Sequence, residues 1–169
     1  CVIVMESKTG AIKAMANLKR GEDGQYYEAQ NYAVSEFTEP GSTFKLLSAI
    51  ALLEDGKVST TDSVDNSWGK WKWYDMNLED AVKPKKRYYT LSECLQFSSN
   101  VGTSKFVMQH YKKDPEKFTQ HALALGLHVN PKFDVPSSSS PSIATPSQSG
   151  WSGTSLPRPA LGIAAKKPP

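Results

Sequence analysis

Apolar residues fall in blocks along the chain, and polar joints marked by glycine or proline separate them. Cys1-Val2-Ile3-Val4-Met5 is a strongly apolar run, and Ala-Ile-Lys-Ala-Met-Ala at 11–16 alternates loosely. Ser7-Lys8-Thr9-Gly10 lies between them and ends in glycine, so the pattern predicts a β-hairpin over 1–16 whose first strand is buried. Residues 17–41 mix polarities with little period and read as an excursion. A continuous apolar block from Ser42 to Glu54 predicts a helix, with Gly56 where a left-handed C-terminal residue is expected. Residues 57–88, which hold Trp68, Trp71, Trp73 and Tyr74, read as irregular.

The next helix has an explicit start. Thr90-Leu91-Ser92-Glu93 fits a capping box, in which the Thr hydroxyl and the Glu carboxylate each take a free N–H of the first turn. That helix is expected to stop near Gln96–Ser98, and another to begin at Asn100 or Val101 with Val101, Phe106, Val107 and Tyr111 inward. Asp114-Pro115 predicts a further helix, with Asp as N-cap and Pro at the first helical position. Phe118, Ala122 and Leu125 give it an apolar stripe, and Gly126 ends it. After Asp134 the composition turns to Ser, Pro, Thr and Gly, with four serines at 137–140. The reading is α+β: a hairpin at 1–16, a mainly helical part at 42–133, and a Ser/Pro-rich loop and tail at 134–169.

Bulk properties narrow the function classes. A chain of 169 residues, 38% hydrophobic and 22% charged, is one domain's worth with enough apolar residues for a core. A net charge of +3 is too slight to argue for nucleic acid. Lys83, Lys85, Lys86 and Arg87 form the densest basic run and read as a solvated loop. Cys1 and Cys94 make no disulfide framework, and Cys94 reads as a small buried residue. His110, His121 and His128 have no metal-ligand spacing, so neither metal nor cofactor is expected. No apolar run approaches a membrane span. An opening inside an apparent strand is what a piece of a longer protein would have.

Candidate chemistry begins at Glu39-Pro40-Gly41-Ser42-Thr43-Phe44-Lys45. Ser42 and Lys45 are three apart at the head of a helix, so their side chains are neighbours. A serine hydroxyl needs an adjacent base to become a nucleophile, and a lysine serves once burial or a nearby cation lets it be neutral. The helix N-terminus, with free N–H groups, favours developing negative charge there. A bare S-x-x-K recurs by chance, with Ser42 as an N-cap and Lys45 solvated. The second motif changes the weighting: Ser98-Ser99-Asn100 stands between two helical segments, 56 residues after Ser42. S-x-x-K followed by S-x-N belongs to the signature set of penicillin-binding proteins and class A β-lactamases.

The pair Glu-Pro-Gly-Ser-Thr-Phe-Lys and Ser-Ser-Asn-Val-Gly resembles the transpeptidase domain of a penicillin-binding protein. The stretches 5–16 and 91–95 are similar to that domain's opening hairpin and to the helix leading into its S-x-N turn, and Trp151-Ser152-Gly153-Thr154-Ser155-Leu156-Pro157 is similar to class B, especially division-type, members. The resemblance implies that Ser42 is the acylated nucleophile, that Lys45 takes its proton, and that Ser98 relays a proton to the leaving amine. Asn100 would bind the substrate's peptide amide and help hold Lys45. It implies a peptidoglycan stem peptide as substrate, β-lactams as acylating mimics, and no cofactor. It also implies a membrane-anchored parent, outside the cytoplasmic membrane, in a cell-wall synthesis complex. The third motif, K-T-G, should lie on a strand downstream of Asn100. Lys8-Thr9-Gly10 is a decoy upstream of the serine, and no equivalent follows Asn100. The expected fold is therefore an incomplete β-lactamase/transpeptidase-like fold lacking C-terminal strands. With no third motif, the chain is expected to be weakly active or inactive by itself and to expose apolar surface and an unpaired strand edge. Three alternatives remain: a β-lactam sensor acylated without turnover, a glycan-binding module using the Trp-rich stretch, and an inactive structural remnant.

Overall fold

The computed structural model describes residues 1–35, 39–129, 143–149, 151–152 and 155–162. Most of the Ser-rich stretch, Gly153-Thr154 and the Lys166-Lys167-Pro168-Pro169 tail lie outside the described residues. The described chain forms two compact units, one built on residues 1–35 and the other on residues 39–128 with the described residues from 143 onward.

In the first unit the predicted hairpin forms. β1 (Val2–Met5) pairs antiparallel with β2 (Ile12–Ala16), Val2 opposite Ala16 and Met5 opposite Ile12. Gly10 closes the turn at φ +75°, its N–H donating to Glu6 O at 2.9 Å. β1 is not buried: Val2, Ile3, Val4 and Met5 are 43–62% exposed. The continuous apolar run was the basis for expecting burial, but a two-stranded ribbon supplies no second layer of its own to cover either face. A second hairpin, β3 (Leu18–Arg20) with β4 (Tyr26–Glu28), and a short helix α1 (Tyr32–Ser35) occupy the stretch read as an excursion.

The second unit carries the core. A 3₁₀ turn, Gly41–Phe44, leads into α2 (Lys45–Glu54). Then come β5 (Ser63–Asp65), β6 (Lys70–Trp73), β7 (Met76–Glu79) and β8 (Tyr88–Thr90). α3 (Leu91–Gln96), α4 (Asn100–Tyr111) and α5 (Pro115–Ala124) complete the series, with a 3₁₀ turn at Pro159–Leu161. The capping box closes as expected: Glu93 N–H donates to Thr90 Oγ1 (3.1 Å) and Thr90 N–H to Glu93 Oε2 (2.9 Å). Asp114 caps α5 by accepting from Lys117 N–H, and Pro115 takes the first helical position.

Residues 57–88 correct the irregular, mainly helical reading. β5 pairs antiparallel with β8, and β6 with β7. The sequence carries the signal. Lys70-Trp71-Lys72-Trp73 alternates polar and aromatic, Lys70 and Lys72 are exposed, and Trp71 and Trp73 turn toward the core. Trp71 and Trp73 stack with ring centroids 5.2 Å apart, and Lys112 Nζ sits 4.9 Å from the Trp73 centroid. Local packing, not an open sugar platform, is where these two indoles are placed.

Leu52, Val101, Phe106, Val107, Tyr111 and Phe118 are each at most 1% exposed and form the helical core. Full burial of side chains of this size stabilises by about 1.5–3 kcal/mol each. Leu125, expected on the α5 stripe, is 53% exposed and falls just past the helix. The stretch read as a tail contributes to the core instead: Leu156, Ala160 and Leu161 are at most 4% exposed. Ser48 Oγ of α2 donates to Ala160 O at 2.8 Å. At Gly162 an added Cβ would lie 2.4 Å from Gly41 O, so only glycine fits where this segment crosses the chain ahead of Ser42.

Candidate functional site

Ser42 lies one residue into the 3₁₀ turn and is exposed. Gly41 just before it has φ +58°, and its N–H donates to Gly162 O at 3.2 Å. In a 3₁₀ turn residues i and i+3 eclipse, so Ser42 and Lys45 share a face at the head of α2. Ser42 thus sits in a 3₁₀ turn rather than in α-helix proper, and α2 itself begins at Lys45.

Lys45 is 2% exposed. Its Nζ donates to Ser98 O at 2.6 Å and to Ser98 Oγ at 2.9 Å. Those bonds join the two motifs across 53 residues of chain. Burial pulls the Lys45 ammonium below the ordinary lysine range, with Asp80 and then Cys94 acting against it. Cys94 is buried and free, and burial pushes its thiol up to about 12, so it stays neutral at ordinary pH.

Ser98 owes its place to the end of α3. Ser98 has φ +51°, the left-handed region that non-glycine residues seldom occupy. Its N–H donates to Leu95 O (3.1 Å) and that of Ser99 to Cys94 O (2.9 Å), the two bonds of a Schellman cap. That conformation accompanies the presentation of both Ser98 O and Ser98 Oγ to one ammonium. Two residues on, Asn100 starts α4, with Ser99 as N-cap accepting from Gly102 N–H. The Asn100 side chain does not go to Lys45: its Nδ2 donates to Glu79 O at 2.7 Å. Beside Ser98 a cavity of ≈ 580 Å³ opens, lined by Tyr89, Phe97, Val82 and the Lys83, Lys85 and Lys86 side chains. These three lysines are exposed, in keeping with a solvated loop, and line the mouth of that cavity.

The structure thus brings Lys45 and Ser98 into contact and sets Asn100 in the same turn, with Ser42 one eclipsed step from Lys45. Sequence reasoning missed Asp80, which carries no motif. Its only sequence mark is its position directly after an alternating strand. Among the described residues no group of His, Cys, Asp and Glu could hold a metal ion.

Known proteins resemble this chain in fold and in sequence. A peptidoglycan synthetase from Bifidobacterium adolescentis superposes with a TM-score of 0.72 at 23% identity, over 96% of this chain and 29% of that one. A peptidoglycan glycosyltransferase from Burkholderia ambifaria gives 0.68 at 21% identity, over 79% and 40%. The profile of the penicillin binding protein transpeptidase domain matches residues 1–164. The chain belongs to that family, and its mixed helices and small sheets are a partial transpeptidase-domain fold. Among curated relatives, penicillin-binding protein PbpB of Mycobacterium tuberculosis is 30% identical over 166 residues, 95% of this chain and 24% of that protein. A peptidoglycan D,D-transpeptidase FtsI homolog of Nephroselmis olivacea is 29% identical over 167 residues, 88% and 22%. The chain spans about a quarter of the length of these relatives.

Proposed function

We propose that this chain carries the acylation machinery of a class B D,D-transpeptidase that cross-links peptidoglycan stem peptides. The carrying observation is the buried Lys45 at the end of the Ser42 turn, bonded to both oxygens of Ser98. In this reading neutral Lys45 accepts the Ser42 proton as Oγ attacks the penultimate D-Ala carbonyl. The ester bond forms, the C–N bond to the terminal D-Ala breaks, and Ser98 passes the proton to the departing amine. An amine from a second strand then attacks the ester and frees Ser42. Asn100 hydrogen-bonds the substrate's peptide amide, for which its carbonyl oxygen serves while Nδ2 is held by Glu79.

The reading gives the K-T-G role to no residue here, since none follows Asn100. It places the protein outside the cytoplasmic membrane, in cell-wall synthesis and division, as the division-type resemblance implies. Among the described residues no helix is long and apolar enough to cross a membrane. The test is mass spectrometry after penicillin treatment. One covalent adduct on Ser42, formed slowly because no K-T-G follows Asn100 and absent in a folded Ser42→Ala variant, is expected; an adduct that persists in Ser42→Ala rejects the reading.

A further inference from the structure

The end of β7 holds Ser99, Asn100 and Val101, where the S-x-N turn enters α4, by three oxygen atoms of two groups. Ser99 Oγ lies 2.9 Å from Asp80 Oδ2, Asn100 Nδ2 donates to Glu79 O at 2.7 Å, and Val101 N–H donates to Asp80 Oδ1 at 2.9 Å. Asn66, fully buried, closes the arrangement: its Nδ2 donates to Asp80 Oδ2 at 2.9 Å, and its Oδ1 is the other acceptor within reach of the Ser99 hydroxyl. A single hydroxyl proton serves one acceptor at a time, so Asp80 accepts up to three bonds. Two come from residues flanking Asn100 and one from a rigid loop. Carboxylate acceptors at a helix N-terminus make strong, directional bonds.

We propose that Asp80 is a positioning residue for the acylation reaction, locking the Ser98–Asn100 turn from the end of the Trp71–Trp73 hairpin. The hairpin end then acts together with the end of α3 in setting where Ser98 and Asn100 stand against Lys45. This rests on the functional reading above. Two further facts support it. The Glu79–Asp80 backbone is itself tied down, with Asp80 N–H donating to Gly69 O at 2.9 Å. Asp80 is also the anion acting on Lys45: α2 contributes Lys45, α3 contributes Cys94, which stays a neutral thiol, and Lys83, Lys85 and Lys86 line the same cavity as Asp80.

Asp80→Asn keeps the shape but turns a donor toward the Asn66 amide and removes the charge. Three readouts follow: amide hydrogen exchange, NMR titration of Lys45, and penicillin acylation across pH. Exchange at Val101 and Gly102 should rise at least tenfold while Phe106 and Val107, later in α4, stay protected. The Lys45 titration should move to lower pH, because an anion that favoured its charged form is gone. The acylation rate should fall by on the order of 10²-fold, as for sub-ångström to 1 Å misplacement of reacting groups, and its rising limb should move to lower pH with Lys45. Ser99→Ala, which keeps the charge, should raise exchange at Gly102 and slow acylation with the Lys45 titration unmoved.

Unchanged exchange at 101–102 together with an unmoved Lys45 titration in Asp80→Asn overturns the proposal. Should that variant fail to fold, Ser99→Ala decides: native exchange at Gly102 with native acylation overturns it. Wild type acylated at a residue other than Ser42 rejects the functional reading instead, while exchange and titration still decide the positioning role.

Discussion

At the end of α5, Gly126 N–H donates to Leu123 O (2.9 Å) and Leu127 N–H to Ala122 O (3.2 Å). At the end of α3, Ser98 N–H donates to Leu95 O (3.1 Å) and Ser99 N–H to Cys94 O (2.9 Å). The two caps have the same bonds and the same left-handed residue, at φ +73° for Gly126 and +51° for Ser98. Only the residue differs. Glycine takes this conformation at no steric cost, whereas an L side chain gives up about 1–2 kcal/mol. The α2 cap at Gly56, φ +60°, follows the glycine rule as well. Ser98 is therefore the one of these three caps that departs from the glycine stability alone would choose, and it is the one whose hydroxyl meets Lys45. Strain retained at a site of chemistry points to use.

Exchanging the two residue types is the sharpest way to probe this contrast. Ser98→Gly should lose about 10²–10⁴-fold in acylation rate, the range for a general acid–base group. Its stability should stay within about 1 kcal/mol of wild type, because relief of strain offsets the lost hydrogen bond. Stopped-flow acylation and urea unfolding measure the two; a rate loss matched by a large stability loss would break the contrast. The reverse exchange, Gly126→Ser, should cost about 1–2 kcal/mol in urea unfolding and leave acylation at the wild-type rate. A smaller effect is expected at the other end of α3, where Thr90→Ala removes the capping-box hydroxyl at about 1 kcal/mol, read by thermal unfolding.

The smallest concerns the β5–β8 pair. Arg87 beside Asp65, its Nη2 2.8 Å from Oδ2, holds that carboxyl down to about 2. The folded value is depressed, so the pair's contribution is full above the ordinary carboxylate range and disappears as pH falls toward 2. Arg87→Ala should be less stable than wild type at neutral pH, by little because both side chains are partly solvated, and the two proteins should converge on acidification to pH 2. A gap that widens on acidification would contradict the assignment.

Much of the helical half was legible because its signals are local. Thr90-x-x-Glu93, Asp114-Pro115 and the glycines at 56 and 126 each name a helix end through one side chain or its absence. The nucleophile and base were legible as a spacing, Ser42 to Lys45, and the partner motif as another, Ser98 to Asn100. What sequence spacing does not encode is which way a side chain turns once helices pack. Lys45 Nζ donates to Ser98, and Asn100 turns to Glu79, because the α3–α4 turn and the β7 end meet there. The β6–β7 hairpin was legible in Lys-Trp-Lys-Trp, but its aromatic density drew attention away from its period. Leu156, Ala160 and Leu161 carry no periodic signal at all; a Pro-rich stretch is buried because α2 and α4 leave a face for it.

The crossing of Gly162 over Gly41 gives the assembly of this molecule a direction in time. The turn that holds Ser42 is fixed on one side by an N–H bond to a residue synthesised after nearly all of the second unit. A contact between such distant positions forms late, after the local helices. During N-to-C synthesis the helices can form and the Lys45 pocket can begin to close, yet the stretch ahead of the nucleophile stays unbraced until residue 162 has emerged. A nascent chain halted before that point would carry the serine, the lysine and the S-x-N turn without a finished nucleophile.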